Sequence, residues 1–317
     1  MVGVVTDGGW IYGIQLPVQM LSLKVCDPWE DTATVADLVA VARRAEATGH
    51  TFVGVCDHVA IPDDEYASGM RTTWYDTIAT LGFLAAHTST VRLVSEVYVA
   101  AYRHPLQTAS AFATLDHLSG GRAILGVGAG HVAGEFAALG VPFDERGAIL
   151  DEALAAIRGA FADDYVSFHG DRFSYDRVGV GPRPSGDRLL TWVGGSGRAA
   201  WRRVGTYADG LIPMGNPVAQ YPEIVDGIRT AAEAVDRADE PFDIGYMPMP
   251  AYLTGGSTDG LPPTVHHSPE ALADDIRAAR AAGANVMHLK LRAHSGADYL
   301  DQLDAFAEQV VPLVDAA

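Results

Sequence analysis

Short apolar runs alternate with amphipathic stretches along almost the whole chain, and this alternation constrains the fold more than any other feature of the sequence. A strand over 12–18 is followed by a helix over 35–48 that stops at Gly49. A strand over 52–56, a polar loop through Pro62, Asp63, Asp64 and Glu65, and a helix over 74–88 come next. Strand 92–100, helix 105–118, strand 123–127 and helix 148–161 continue the pattern, and the aromatic and β-branched residues around Gly170 predict a small hairpin insertion over 165–175. The alternation then runs through 189–193, 197–207, 211–212, 221–235, 242–253, 269–282, 286–291 and 297–314. Near-continuously apolar strands separated by helices must be parallel, because a crossover helix returns the chain to the same end of the sheet. Eight such units predict an α/β fold closed into a (β/α)8 TIM barrel, one domain spanning 1–317. An open doubly wound sheet is the rival, and it demands an early nucleotide fingerprint that is missing here.

The formal net charge of −18, with no Lys/Arg cluster to interrupt it, repels a phosphate backbone, so the expected partner is a small molecule and not nucleic acid. Residues 1–10 hold no basic start followed by an apolar run, and nowhere do about 18 apolar residues run together. Neither export nor a membrane span is expected, and the cytoplasm is the expected compartment. Cys26 and Cys56 lie too far apart for a local redox or zinc motif and are expected to be reduced and structural.

In a barrel, functional groups sit on the loops that leave the carboxyl ends of the strands. The second strand ends in Cys56-Asp57-His58. Imidazole suits proton transfer near neutral pH, and an adjacent carboxylate can fix its tautomer; the same pair equally suits a turn capped by Asp57 with His58 merely packed. Glu96 interrupts the apolar third strand, so it either faces a polar cavity or a cation at the barrel mouth or pairs with an Arg or His of a neighbouring strand. The run Gly126-Val127-Gly128-Ala129-Gly130-His131 fails the dinucleotide fingerprint, because the third glycine falls on His131 or Ala133. Its glycines serve either close approach to a ligand or a tight rim turn. Val193-Gly194-Gly195-Ser196-Gly197-Arg198 opens into a helix, where free N–H groups make a phosphate cradle unless the glycines serve only a turn. His266-His267 lacks the spacing of a helical metal site, so exposed loop histidines and no metal are expected. Ser119-Gly120-Gly121 precedes a strand and belongs to the opposite, structural end of the barrel.

Several blocks in order carry a resemblance: Cys56-Asp57-His58, Arg103-His104-Pro105-Leu106, 114–122, Gly126–Gly130, 140–147, Val193-Gly194-Gly195-Ser196 and Tyr207-Ala208-Asp209-Gly210-Leu211. Over about residues 12–291 the chain resembles the luciferase-like monooxygenase superfamily, and within it the branch dependent on coenzyme F420, a deazaflavin. The resemblance implies a barrel with an insertion after the fourth strand, commonly a homodimer, binding deazaflavin or, alternatively, FMN at the carboxyl ends of the strands, and two-electron hydride chemistry. It places Asp57 and His58 near the redox ring, Glu96-Val97 where such proteins often have a non-prolyl cis peptide, and Ala129-Gly130 with Val193-Gly194-Gly195-Ser196 at the cofactor phosphate. His58, alone or with His131, is then expected to handle the proton. Relatives that oxidise sugar phosphates have an acid where this chain has His131, and Lys24 and Lys290 are its only lysines, so a less charged organic substrate is expected. An FMN-dependent monooxygenase is the alternative enzyme, and a barrel that binds coenzyme without turnover is the alternative from another class.

Overall fold

Strands buried on both faces need helices on one side and a filled interior on the other, and this chain supplies both. The computed structural model describes residues 9–18, 26–186 and 188–316; Lys24 lies outside them. Its first half contains β1 (Ile11–Gln15), α1 (Val35–Ala47), β2 (Phe52–Val55), α2 (Thr77–Ala85), β3 (Arg92–Ser95), β4 (Tyr98–Val99), α3 (Pro105–Ser119) and β5 (Ala123–Gly128). Then come α4 (Ala133–Ala138), α5 (Arg146–Gly159), β6 (Val166–His169), β7 (Ser174–Val178), β8 (Thr191–Gly194), α6 (Arg198–Tyr207) and β9 (Gly210–Ile212). The chain closes with α7 (Tyr221–Glu233), β10 (Asp243–Tyr246), α8 (Pro269–Ala281), β11 (Val286–Leu289), α9 (Gly296–Ala305) and α10 (Val311–Asp315).

The strands lie in the order β3-β2-β1-β11-β10-β9-β8-β5, and β3 pairs with β5 to close the ring. Every pairing in it is parallel, with β4 carrying the third strand on against β5. This is the expected eight-stranded barrel, β3 and β4 together forming one stave. Successive strand side chains point to opposite faces, and two cores result. Phe52, Val94, Ile124, Trp192, Ile212 and Val286 fill the interior, with Phe52 edge-on to Trp192 at 5.5 Å. Val53, Leu93, Leu125, Val193 and Leu211 face outward to helix residues such as Leu38, Phe112, Val204 and Leu303.

The expected insertion after the fourth strand is the antiparallel hairpin β6–β7, placed between α5 and β8. At the opposite end, Arg122 is buried and donates to the carbonyls of Ser119, Val91 and Ala85, while Gly120 closes α3 at φ +73°. That end is structural, as its position before a strand implies. Among the described residues no helix is long and apolar enough to cross a membrane.

Several elements differ from the sequence expectation. The strand expected over 92–100 is interrupted by a cis Glu96–Val97 peptide, which separates β3 from β4. The strand expected over 242–253 ends at Tyr246, because Pro248 and Pro250 have no N–H to give a ladder. The helix expected over 297–314 passes through a π turn at Phe306–Val310 just before Pro312. Helix α4, absent from the sequence assignment, packs against the second-strand loop: a Cβ on Gly134 would sit 2.6 Å from Pro62.

Candidate active site

At the carboxyl end of β2 the chain leaves the barrel as Cys56-Asp57-His58. Asp57 turns into the wall. Its carboxylate accepts both Arg103 guanidinium nitrogens, at 2.6 and 2.9 Å, together with the Val99 amide at 2.8 Å and the Thr77 hydroxyl at 3.1 Å. Such a two-pronged pair is geometrically specific, and only 2% of the Asp57 side chain is exposed. Asp57 therefore ties loop two to the third strand, and it is not the group that orients His58.

Glu135 of α4 does that instead. His58 Nδ1 lies 3.0 Å from its Oε2, which also accepts the Tyr102 hydroxyl at 3.0 Å. The other oxygen accepts the amides of Val59 and Ala60. Burial alone would raise this fully enclosed carboxyl, but the His58 hydrogen bond and the two amides outweigh it and hold Glu135 below the usual carboxylate range. An ionised carboxylate only accepts, so His58 carries its hydrogen on Nδ1. Its Nε2 has no partner among the described residues, and its ring packs against Trp74 at 4.4 Å.

His131 follows β5 and stands edge-on to His58, with ring centroids 5.7 Å apart. Its Nδ1 is 2.9 Å from the hydroxyl of Tyr66, on the loop after β2. Surrounding protein and then the neighbouring His58 both disfavour its cation and lower its pKa, against a smaller opposing pull from Glu135.

Val97 occupies a slot between β5 and β8, over the barrel interior. A Cβ on Gly128 would come within 2.4 Å of one Val97 methyl, and a Cβ on Gly194 within 2.6 Å of the other. Those glycines thus receive a side chain of the protein itself. Glu96 reaches down over Gly54 to His288 of β11, Oε1 to Nδ1 2.6 Å, with 6% and 3% of the two side chains exposed. Of the two roles open to Glu96 in the sequence, a pairing with a histidine is present, but the histidine is on β11, three strands round the ring from β3 and not on a neighbouring strand. Gln15 bridges the Cys56 sulfur and the Glu96 carbonyl. Burial, with Glu96 next, pushes the Cys56 thiol well up, and both cysteines are free and buried.

Gly130 turns at φ +80° with Phe136 and Val99 against it, and Ala129 is half-buried at its side. Val193 is buried in β8, which ends at Gly194; Gly195, at φ +147°, donates to the Ile212 carbonyl, and Ser196 is exposed. The amides of Ser196, Gly197 and Arg198 donate to no described residue, a Cβ on Gly197 would meet open space, and α6 has no side-chain cap. An anion could be held there by free amides and the helix dipole. His266, expected to be an exposed loop residue, is instead largely covered and pairs with Asp275 at 2.9 Å.

The structure thus brings His58 and His131 into contact, sets Val97 in the slot whose far wall is Gly194, and leaves the 196–198 amides open. Glu135, Tyr66, Trp74 and His288 escape the sequence reasoning. An acid four residues beyond His131 on an unrecognised helix was the one available signal for Glu135.

The model of the luciferase-like monooxygenase family matches residues 17–255. The F420-dependent glucose-6-phosphate dehydrogenase of Amycolatopsis mediterranei is 32% identical over 213 residues, 65% of this chain and 62% of that protein. The FMNH(2)-dependent dimethylsulfone monooxygenase of Pseudomonas fluorescens is 29% identical over 198 residues, 61% of this chain and 52% of that protein. An F420-dependent secondary alcohol dehydrogenase, solved with an F420-acetone adduct, superposes with a TM-score of 0.76 at 18% identity, covering 96% of this chain and 99% of the other, a likeness of fold. With three quarters of its length matched by the family model, the chain belongs to the luciferase-like monooxygenase family.

Proposed function

We propose that this protein is a coenzyme F420-dependent oxidoreductase that moves a hydride between the deazaflavin and a small, weakly charged organic substrate. The observation that carries the proposal is His58: its Nδ1 is committed to buried Glu135, its Nε2 is free, and it stands beside His131 at the barrel mouth. The open amides of Ser196, Gly197 and Arg198 fit the phosphate of either a deazaflavin or a flavin. When bound, the coenzyme supplies the hydride chemistry; the chain supplies position and electrostatics. His58 and His131 present hydrogen-bonding edges to charge that develops on ring or substrate, and Val97, fixed between Gly128 and Gly194, gives the site a rigid apolar floor.

A sugar phosphate is a poor match. Arg103 is spent on Asp57 and Arg71 on Asp31, and His131 stands where such dehydrogenases have an acid. The second enzymatic reading, an FMN-dependent monooxygenase, is favoured by the identity to the dimethylsulfone enzyme. Anaerobic incubation with oxidised F420 and a panel of secondary alcohols tests the proposal by loss of deazaflavin absorbance. Transfer without oxygen is the expected result, whereas oxygen-dependent turnover with reduced FMN alone would replace the proposal with the second reading.

A further inference from the structure

The two imidazoles at the mouth are wired differently. Behind His58 stands Glu135, which has no exposed surface and, among the described residues, accepts from His58, Tyr102, Val59 and Ala60. A proton taken up at Nε2 of His58 would leave from Nδ1 into that enclosed carboxylate. Behind His131 stands Tyr66, whose hydroxyl meets Nδ1 at 2.9 Å and which is 64% exposed. A hydroxyl both donates and accepts and rotates to suit, so this contact serves either tautomer of the ring.

The loop that presents Tyr66 is held in place. Asp64 accepts the Ala67 amide at 2.8 Å, Met70 donates to the Ala67 carbonyl, and Pro62 rests on Gly134 of α4, next to Glu135. The His131 environment, lowered by burial and by His58, keeps its ring neutral near pH 7, with one N–H and one lone pair.

We propose that His131 and Tyr66 form a proton relay between a substrate oxygen at the barrel mouth and bulk water, His131 touching the substrate and Tyr66 acting through it as a positioning residue. The proposal rests on the hydride-transfer reading above. In the oxidising direction a bound deazaflavin would supply the acceptor for the hydride released as the substrate C–H bond breaks. The O–H bond breaks as the proton passes to His131 Nε2, Nδ1 releases its proton to the Tyr66 oxygen, and the tyrosine hydrogen goes to water. Reduction of a carbonyl runs the same transfers backwards. The substrate class this fits is a secondary alcohol or its ketone, which needs one proton on one oxygen and no cation to grip it.

The test uses the full chain with F420, comparing wild type with Tyr66→Phe at low and high imidazole buffer. Tyr66 is exposed and its ring is kept, so folding is not at stake. The expected result is a kcat at least about tenfold lower in Tyr66→Phe with KM little changed, less than the ~10²–10⁴-fold that general acid–base assistance itself supplies because His131 is kept. That kcat should rise with buffer concentration, whereas wild type should not respond. A merely structural tyrosine would not be rescued by buffer. Nitrogen NMR of the histidine rings, with the His131 signal assigned through His131→Asn, should show a changed tautomer ratio for His131 in Tyr66→Phe. Hydride transfer in which Tyr66→Phe is as fast as wild type, or slow and indifferent to buffer, would overturn the relay alone. No hydride transfer by wild type on any alcohol or ketone would overturn the relay and the reading beneath it together.

Discussion

At the residue scale the chemistry turns on which nitrogen of His58 is left free, and Glu135 decides it. His58→Ala removes the Nε2 lone pair offered at the barrel mouth, so kcat should fall by about tenfold or more, the ~1.5 kcal/mol of one net hydrogen bond. The coenzyme dissociation constant should change far less, which separate kinetic and binding measurements would show. Glu135→Gln leaves an amide among donors that require an acceptor, and unfolding in denaturant should reveal a loss of about 1–3 kcal/mol. Because the folded Glu135 titrates below its ordinary value of 4.5, its stabilising contribution is complete above that pH and disappears as pH falls through the folded value. Wild type should therefore lose more stability than Glu135→Gln below about pH 4.5. The pairing was not legible in the sequence: His58 and Glu135 are 77 positions apart, and nothing in the local pattern says that Asp57, its immediate neighbour, is taken by Arg103.

Elements reveal themselves through periodicity, and local pattern sees no further than one element. The eight apolar runs gave their strands because a parallel barrel stave is buried on both faces and reads as a continuous run. Where the expectation fails, the cause is local and physical. The third stave is cut in two at Glu96–Val97, and the seventh stops before Pro248 and Pro250. Glycines 128 and 194 were legible as close-approach positions, but the group approaching them is Val97. Gly128→Ala should thus destabilise the protein by about 1–3 kcal/mol through overpacking. Combining it with Val97→Ala should recover much of that loss in a double-mutant cycle, since the two side chains would compete for one slot. Strict additivity of the two losses would show that the slot is not shared.

For the whole molecule, the barrel decides where chemistry is possible and the side-chain cores decide how acid-tolerant it is. His50, packed between Tyr12 and Phe306, is wholly buried, and its pKa is depressed by burial to about 3 from 6.5. The unfolded chain takes up this proton first, so stability is complete above pH 6.5 and falls from there towards about pH 3, by up to about 1.4 kcal/mol per unit. His50→Gln should flatten that slope in denaturation curves recorded across the interval. Fold and mouth were legible because both depend on order along the chain, whereas the contacts that tune the site join distant staves, as Glu96 and His288 do across 192 positions. That this mouth takes a deazaflavin is tested most directly by titrating the purified protein with oxidised F420 and, separately, FMN, followed by tryptophan fluorescence. Saturable F420 binding, tighter than that of FMN, is the predicted result; saturable FMN binding with no F420 binding would contradict it.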